Sequence, residues 1–93
     1  MQNEEIRKHW ESAAAGWARW EETLTAWMEP ATQLMLEMAG VGARASVLDL
    51  ACGAGSQTLR AAELVGPQGR VVATDIAETM LSYVQQKARA RKE

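Results

Sequence analysis

VLDLACGAG, residues Val47 to Gly55, and RVVATD, residues Arg70 to Asp75, are the two stretches whose reading decides the fold. Val47, Leu48 and Leu50 are apolar on both faces, as in a strand covered by helices on each side within a parallel sheet. Where that strand ends the chain must turn into a helix, and Gly53 and Gly55 supply backbone angles closed to other residues. Ala51 and Ala54 keep the remaining bulk small. Ser56 suits a helix N-cap. Gln57 to Val65 (QTLRAAELV) places Leu59, Ala62 and Leu64 or Val65 at helical spacing, so the free N–H groups of its first turn face the loop. Gly66-Pro67-Gln68-Gly69 is a turn, and Arg70 to Thr74 is a second strand. It runs parallel to the first, since the connection contains a helix. Asp75 then lies beside the glycine loop. A strand, an acid, a glycine loop, a helix and a second strand ending in an acid are the parts of a mononucleotide-binding half.

The chemistry of the ligand follows from the acids. Asp75, twenty positions after Gly55, is placed to accept hydrogen bonds from two ribose hydroxyls, which fits an adenosine-type ligand better than a bare phosphate. The dinucleotide fingerprint asks for Gly or Ala three positions beyond its second glycine, and Thr58 stands there. Asp49 would repel a pyrophosphate and attract an ammonium or sulfonium. A cationic, adenosine-containing ligand is therefore expected, with NAD as the weaker alternative. Asp75 also suits the N-terminus of the helix that follows in AETMLSYV, and the two roles can coexist.

VLDLACGAGSQT resembles the first motif, and VVATDIAETML the following motif, of the class I S-adenosylmethionine-dependent methyltransferases. The nearest branch is that of the ubiquinone and menaquinone biosynthesis methyltransferases. The resemblance runs closely from Ala45 to Val84 and more loosely through the Trp-rich N-terminus, which would be a helical cap over the cofactor. It implies S-adenosylmethionine as cofactor, with Asp49 facing its methionine end and Asp75 holding its ribose. Ala51, Cys52, Gly53 and Gly55 would line it, and Ile76 and Met80 would pack against adenine. Ala51 stands where many members have Gly, which is expected only to tighten the loop.

The implied fold class is α/β: N-terminal helices, then the first β-α-β-α of a Rossmann-like methyltransferase sheet, incomplete as a domain. Residues 1–44 would form the cap region and 45–93 the first half of the cofactor-binding domain. At 93 residues the chain could bury only a modest core. The implied function is the cofactor-binding opening portion of an enzyme acting on a small-molecule methyl acceptor, not catalytically competent by itself. An unpaired sheet edge invites association between copies, by strand addition or by exchanged N-terminal helices, so a homo-oligomer is expected. The alternative is a self-associating module without activity. Methyl transfer needs mainly that two reactants be held in line, so no catalytic residue is assigned.

All four tryptophans lie in the N-terminal third. Ile6, Trp10, Ala13, Ala14, Trp17, Trp20 or Glu21, Leu24, Trp27 and Met28 recur near helical spacing, opposite Glu4, Glu5, Arg7, Lys8, Glu11, Arg19 and Glu22. Gly16 is read as a weak point between two helices and Pro30 as the end of the second. A third helix, Ala31 to Ala39, stops at Gly40. Packing into a core is the plainer reading of the tryptophans. In the sharper one, Trp10, Trp17 or Trp20 covers the cofactor or lines an acceptor pocket. His9 is read as a helix-surface residue.

Composition excludes several partners. The net charge is −2 with 24% charged residues, and no basic face emerges, so nucleic acid is not expected. The basic run KARARKE at the C-terminus suits a solvated helix end. No apolar stretch approaches the roughly 20 residues that span a bilayer, so no membrane is expected as a partner. MQNEEIRKHW is polar rather than a signal peptide, and a cytoplasmic location follows by default. Cys52, the lone cysteine, has no partner for a disulfide, for zinc or for redox work.

Overall fold

A computed structural model describes residues 2–91. Its elements run α1 (Asn3–Arg19), α2 (Glu21–Met38), β1 (Ser46–Asp49), α3 (Ser56–Val65), β2 (Arg70–Ala73) and α4 (Glu78–Arg91). The two strands pair in parallel with Ser46 opposite Arg70 and Asp49 opposite Ala73, as a connection containing a helix requires. Backbone bonds continue the ladder at both ends, from Arg70 N–H to the Ala45 carbonyl (2.9 Å) and from Thr74 N–H to the Asp49 carbonyl (2.9 Å).

α3 enters from a left-handed residue. Gly55 sits at φ +96° and precedes the first helical residue, Ser56, so the cap is the glycine rather than the serine expected from sequence. A Cβ on Gly55 would also lie 2.6 Å from Val84 Cγ2 on α4. Two constraints, backbone angle and closeness to α4, therefore meet at one position. The buried face of α3 is Thr58, Leu59, Ala61 and Val65: Leu59 and Val65 are buried as expected, while Thr58 and Ala61 join them and Ala62 stays half-buried, because α3 packs at once on both strands and on α4.

The sheet is covered on one face only. α4 packs on α3 instead of crossing to the far side, and Leu48, Leu50 and Val72 remain 62%, 70% and 40% exposed. The apolar character of β1 on both sides predicted two covered faces, but among the described residues every helix gathers on the α3 side.

The N-terminal helices also differ from expectation. α1 runs unbroken through Gly16 and ends at Trp20, since a single helical glycine costs only about 0.5–1 kcal/mol. α2 continues through Pro30, so the expected second and third helices are one. Proline forfeits the bond to the Ala26 carbonyl. Arg60 of α3 ties the two halves together from outside, pairing with Glu29 at 2.7 Å and donating to Gln33. The helix stops as expected before Gly40, at φ +72°.

α1 docks on α4 through small residues. Ala14, Ala77 and Met80 form one buried cluster, with Ala54 and Tyr83 packed against it. Glu11, read from sequence as part of a solvated face, instead accepts the Thr79 N–H (3.1 Å) and the Thr79 hydroxyl at the start of α4. Those two bonds, the hydroxyl first, hold its carboxyl below the usual glutamate range.

Gly55→Ala is expected to destabilise the protein by about 2–4 kcal/mol, from left-handed strain and the clash with α4. Gly53→Ala, at a position with open space around it, should cost about 1–2 kcal/mol; urea titrations of both variants compare them. Glu11→Gln should lower the thermal midpoint at neutral pH. Because the folded state depresses the Glu11 pKa, its contribution is present above the ordinary glutamate pKa and is lost as pH falls through the depressed value. The gap between wild type and variant should therefore close on acidification in melts followed by circular dichroism.

Candidate functional site

The loop after β1 is held by its neighbours in space. Cys52 N–H donates to the Thr74 carbonyl (2.8 Å), and Gly53 N–H donates to Asp75 Oδ2 (2.9 Å). The other oxygen of Asp75 accepts the Ala77 N–H (2.9 Å). One carboxylate thus joins the glycine loop to the entry of α4, while each oxygen keeps capacity for a further donor. Lys87 completes the clasp, donating to the Ala54 carbonyl (2.8 Å) and pairing with Glu21 of α2.

Ala51 adopts φ +54° and Gly53 φ +60°. A residue with a Cβ pays about 1–2 kcal/mol in that conformation. The alanine therefore strains the loop, where the sequence suggested only a tightening. Asp49 lies behind the loop, its Oδ2 accepting the hydroxyl of buried Thr58 at 2.6 Å. Thr58, noticed in the sequence only as a departure from the dinucleotide pattern, is what orients this acid.

Between the loop and the N-terminal helices lies a cavity of about 850 Å³, within the range of small-molecule sites, about 300–1,000 Å³. Trp10, Trp17, Trp27 and Met28 form one wall; Ala51, Cys52, Gly53, Asp75, Ile76 and Met80 form the other. Eight of the residues singled out from sequence thus converge, Trp10 and Trp17 among them. Three do not line the cavity: Asp49 turns to Thr58, Gly55 is buried under Val84, and Trp20, at the break between α1 and α2, is 59% exposed. Trp10, Trp17 and Trp27 are between 36% and 76% exposed, so they are wall rather than core. The Trp10 and Trp17 rings lie 6.1 Å apart, and His9 meets Trp10 edge-on at the helix surface.

The rim contains acids that the sequence reading left aside. Glu29 pairs with Arg60, Glu63 with Arg91, and Glu21 with Lys87. Lys87 and Arg91, one helical turn apart, face these acids, so part of the KARARKE run is paired rather than solvated; Lys92 and Glu93 lie outside the described residues. Asp75 is different: among the described residues its partners are backbone N–H groups alone. The cavity therefore carries one carboxylate unmatched by a cation, opposite flat aromatic faces that attract positive charge. The Cys52 thiol is pushed up, chiefly by burial and then by the charges of Asp49 and Asp75. It is a neutral thiol at physiological pH. Among the described residues there is no cluster of three metal-ligating side chains, and no helix is long and apolar enough to cross a membrane.

Comparison with known proteins matches residues 42–93 to a methyltransferase domain. The demethylmenaquinone methyltransferase of Geobacillus stearothermophilus is 46% identical over 44 residues, 47% of this chain and 19% of that protein. The ubiquinone/menaquinone biosynthesis C-methyltransferase of Saccharophagus degradans is 42% identical over 55 residues, 59% of this chain and 22% of that protein. Its counterpart in Hahella chejuensis is 50% identical over 46 residues, 50% of this chain and 18% of that protein. The matched segments span about a fifth of these curated relatives. No solved structure matches. The domain match covers more than half of the chain and contains β1, the glycine loop, Asp75 and α4, so the chain belongs to the methyltransferase-domain family.

Proposed function

We propose that this chain forms the cofactor-binding part of a cytoplasmic S-adenosylmethionine-dependent methyltransferase acting on a small molecule. In this reading β1 and β2 are the first strands of a Rossmann-like sheet in residues 45–93, and residues 1–44 are the cover. One observation carries it: the Asp75 carboxylate and the Gly53 N–H meet at 2.9 Å on the wall of a cavity faced by tryptophans.

The residues present fit such a cofactor. Asp75 has acceptor capacity left for ribose hydroxyls, Ile76 and Met80 offer apolar surface for an adenine ring, and the backbone of Ala51 to Gly53 can be approached closely. Asp49 adds negative potential from behind the loop. When bound, the cofactor supplies a methyl group on a sulfonium, activated for attack by an acceptor. The chain's own part is to bind, to orient and to exclude water. No side chain is assigned as nucleophile, and the neutral thiol of Cys52 is unsuited to that task. The relatives' names make a quinone-type molecule the first acceptor to test in a complete enzyme.

Titration with S-adenosylmethionine or its homocysteine product should give saturable heat and a change in tryptophan fluorescence. Asp75→Asn should weaken binding on the order of 10- to 100-fold, the loss of hydrogen bonds to a charged acceptor, with the far-ultraviolet spectrum retained. A folded sample that gives no signal, or that responds to NADH alone, contradicts the assignment. The raised thiol pKa means that Cys52 should react slowly with iodoacetamide at neutral pH and faster only above the ordinary thiol range, since the thiolate is the reactive form. The homocysteine product should slow alkylation further; unfolded chain provides the reference rate.

A further inference from the structure

We propose that Lys87 is a positioning residue for the glycine loop, and that through its pairing with Glu21 cofactor binding and docking of the α1–α2 cover strengthen one another. The coupling rests on the reading of this loop as a cofactor site.

Packing sets the place of Lys87. Met80, Val84, Lys87 and Arg91 recur four, three and four residues apart, which puts them on one face of α4. Met80 is buried and Val84 sits over Gly55, so the next turn delivers the Lys87 ammonium to the loop. There it donates to the Ala54 carbonyl (2.8 Å) and pairs with Glu21 at the start of α2. Lys87 and Glu21 are 31% and 20% exposed, less than the partners in the other three ion pairs among the described residues. Solvent, which makes exposed pairs nearly worthless, screens this one least.

The bridge acts on the peptide between Ala54 and Gly55. Lys87 holds its carbonyl, and its N–H donates to the Cys52 carbonyl (3.3 Å). Asp75 holds the same loop through the Gly53 N–H, so the loop is gripped between an acid after β2 and a cation on α4. Lys87 does not line the cavity; it acts on a bound cofactor through the loop it holds. The other polar links from the cover, Glu11 to Thr79 and Glu29 to Arg60, end on α4 and α3. Among the described residues Lys87 is therefore the side chain that joins the cover to the loop itself. The apolar seam beneath the cover is small, Ala14 against Ala77 and Met80, which leaves docking sensitive to such links. Coupling between two equilibria is reciprocal, so whatever orders the loop also favours the docked cover.

A double-mutant cycle read by calorimetric titration with the homocysteine product of S-adenosylmethionine tests the proposal. Lys87→Met should weaken binding roughly 5-fold or more, with the far-ultraviolet spectrum retained. Lys87→Arg, which keeps the charge, should bind more tightly than Lys87→Met. Glu21→Gln should also weaken binding, yet cost nothing further in the Lys87→Met background. Amide exchange gives a readout without cofactor: Glu21→Gln, on the cover, should speed exchange of the Cys52 to Gly55 amides, as Lys87→Met does. Bound cofactor should slow exchange along α2 in wild type and not in Lys87→Met. Losses that add independently, or loop exchange unmoved by Glu21→Gln, overturn the proposal. If Lys87→Met loses helical signal, Lys87→Arg and Glu21→Gln carry the same comparisons. A folded wild-type chain that gives no binding heat overturns the cofactor assignment and the coupling with it, whereas a chain that binds without these effects overturns the coupling alone.

Discussion

The carboxylate of Asp75 is the interaction on which the arrangement depends. It accepts one N–H from the loop after β1 and another from the start of α4, so the two segments that frame the cavity are joined through a single charged group. Hydrogen bonds to an ionised acceptor are stronger than neutral ones, and here both donors are backbone. The loop position is thereby tied to the strand end. Parallel pairing of β1 and β2 delivers Asp75 to that place, and Gly55 lets α3 begin there beneath α4.

The cover is attached by polar links around a small-residue seam. Ala14 against Ala77 and Met80 brings α1 close to α4, and Glu11 caps α4 from outside its own sequence. Arg60 and Lys87 reach α2 from α3 and α4. Together with Arg91 on Glu63, these pairs neutralise three glutamates around the cavity and leave Asp75, among the described residues, without a cationic partner. Charge balance inside the site is thus a product of docking, and it favours a ligand that brings positive charge or hydroxyl donors.

Much of the candidate site was legible because its signals are local. The spacing from Gly53 and Gly55 to Asp75 requires one helix and one strand between them, and such a unit has few ways to close. Other features depend on contacts between residues far apart in the chain. Thr58 reaches Asp49 across a turn, Glu11 reaches Thr79 across most of the chain, and Arg60 reaches Glu29 and Gln33 on either side of Pro30 in α2. No periodicity reports such partners. The tryptophans illustrate the limit well: their spacing marks an apolar face, but whether that face becomes core or cavity wall depends on where α1 and α2 come to rest.

By itself, the amino-acid order determined the strand–loop–helix–strand unit, the left-handed glycine turn and an acid at the end of the second strand, since sterics and hydrogen-bond geometry within a few residues dictate each. Tertiary structure alone decided that Gly55 serves packing while Gly53 meets the cavity, that three tryptophans face the loop, and that Leu48, Leu50 and Val72 stay open to solvent. The reason is physical: burial and charge pairing are properties of surfaces brought together, and those surfaces exist only after the helices have docked on one side of the sheet.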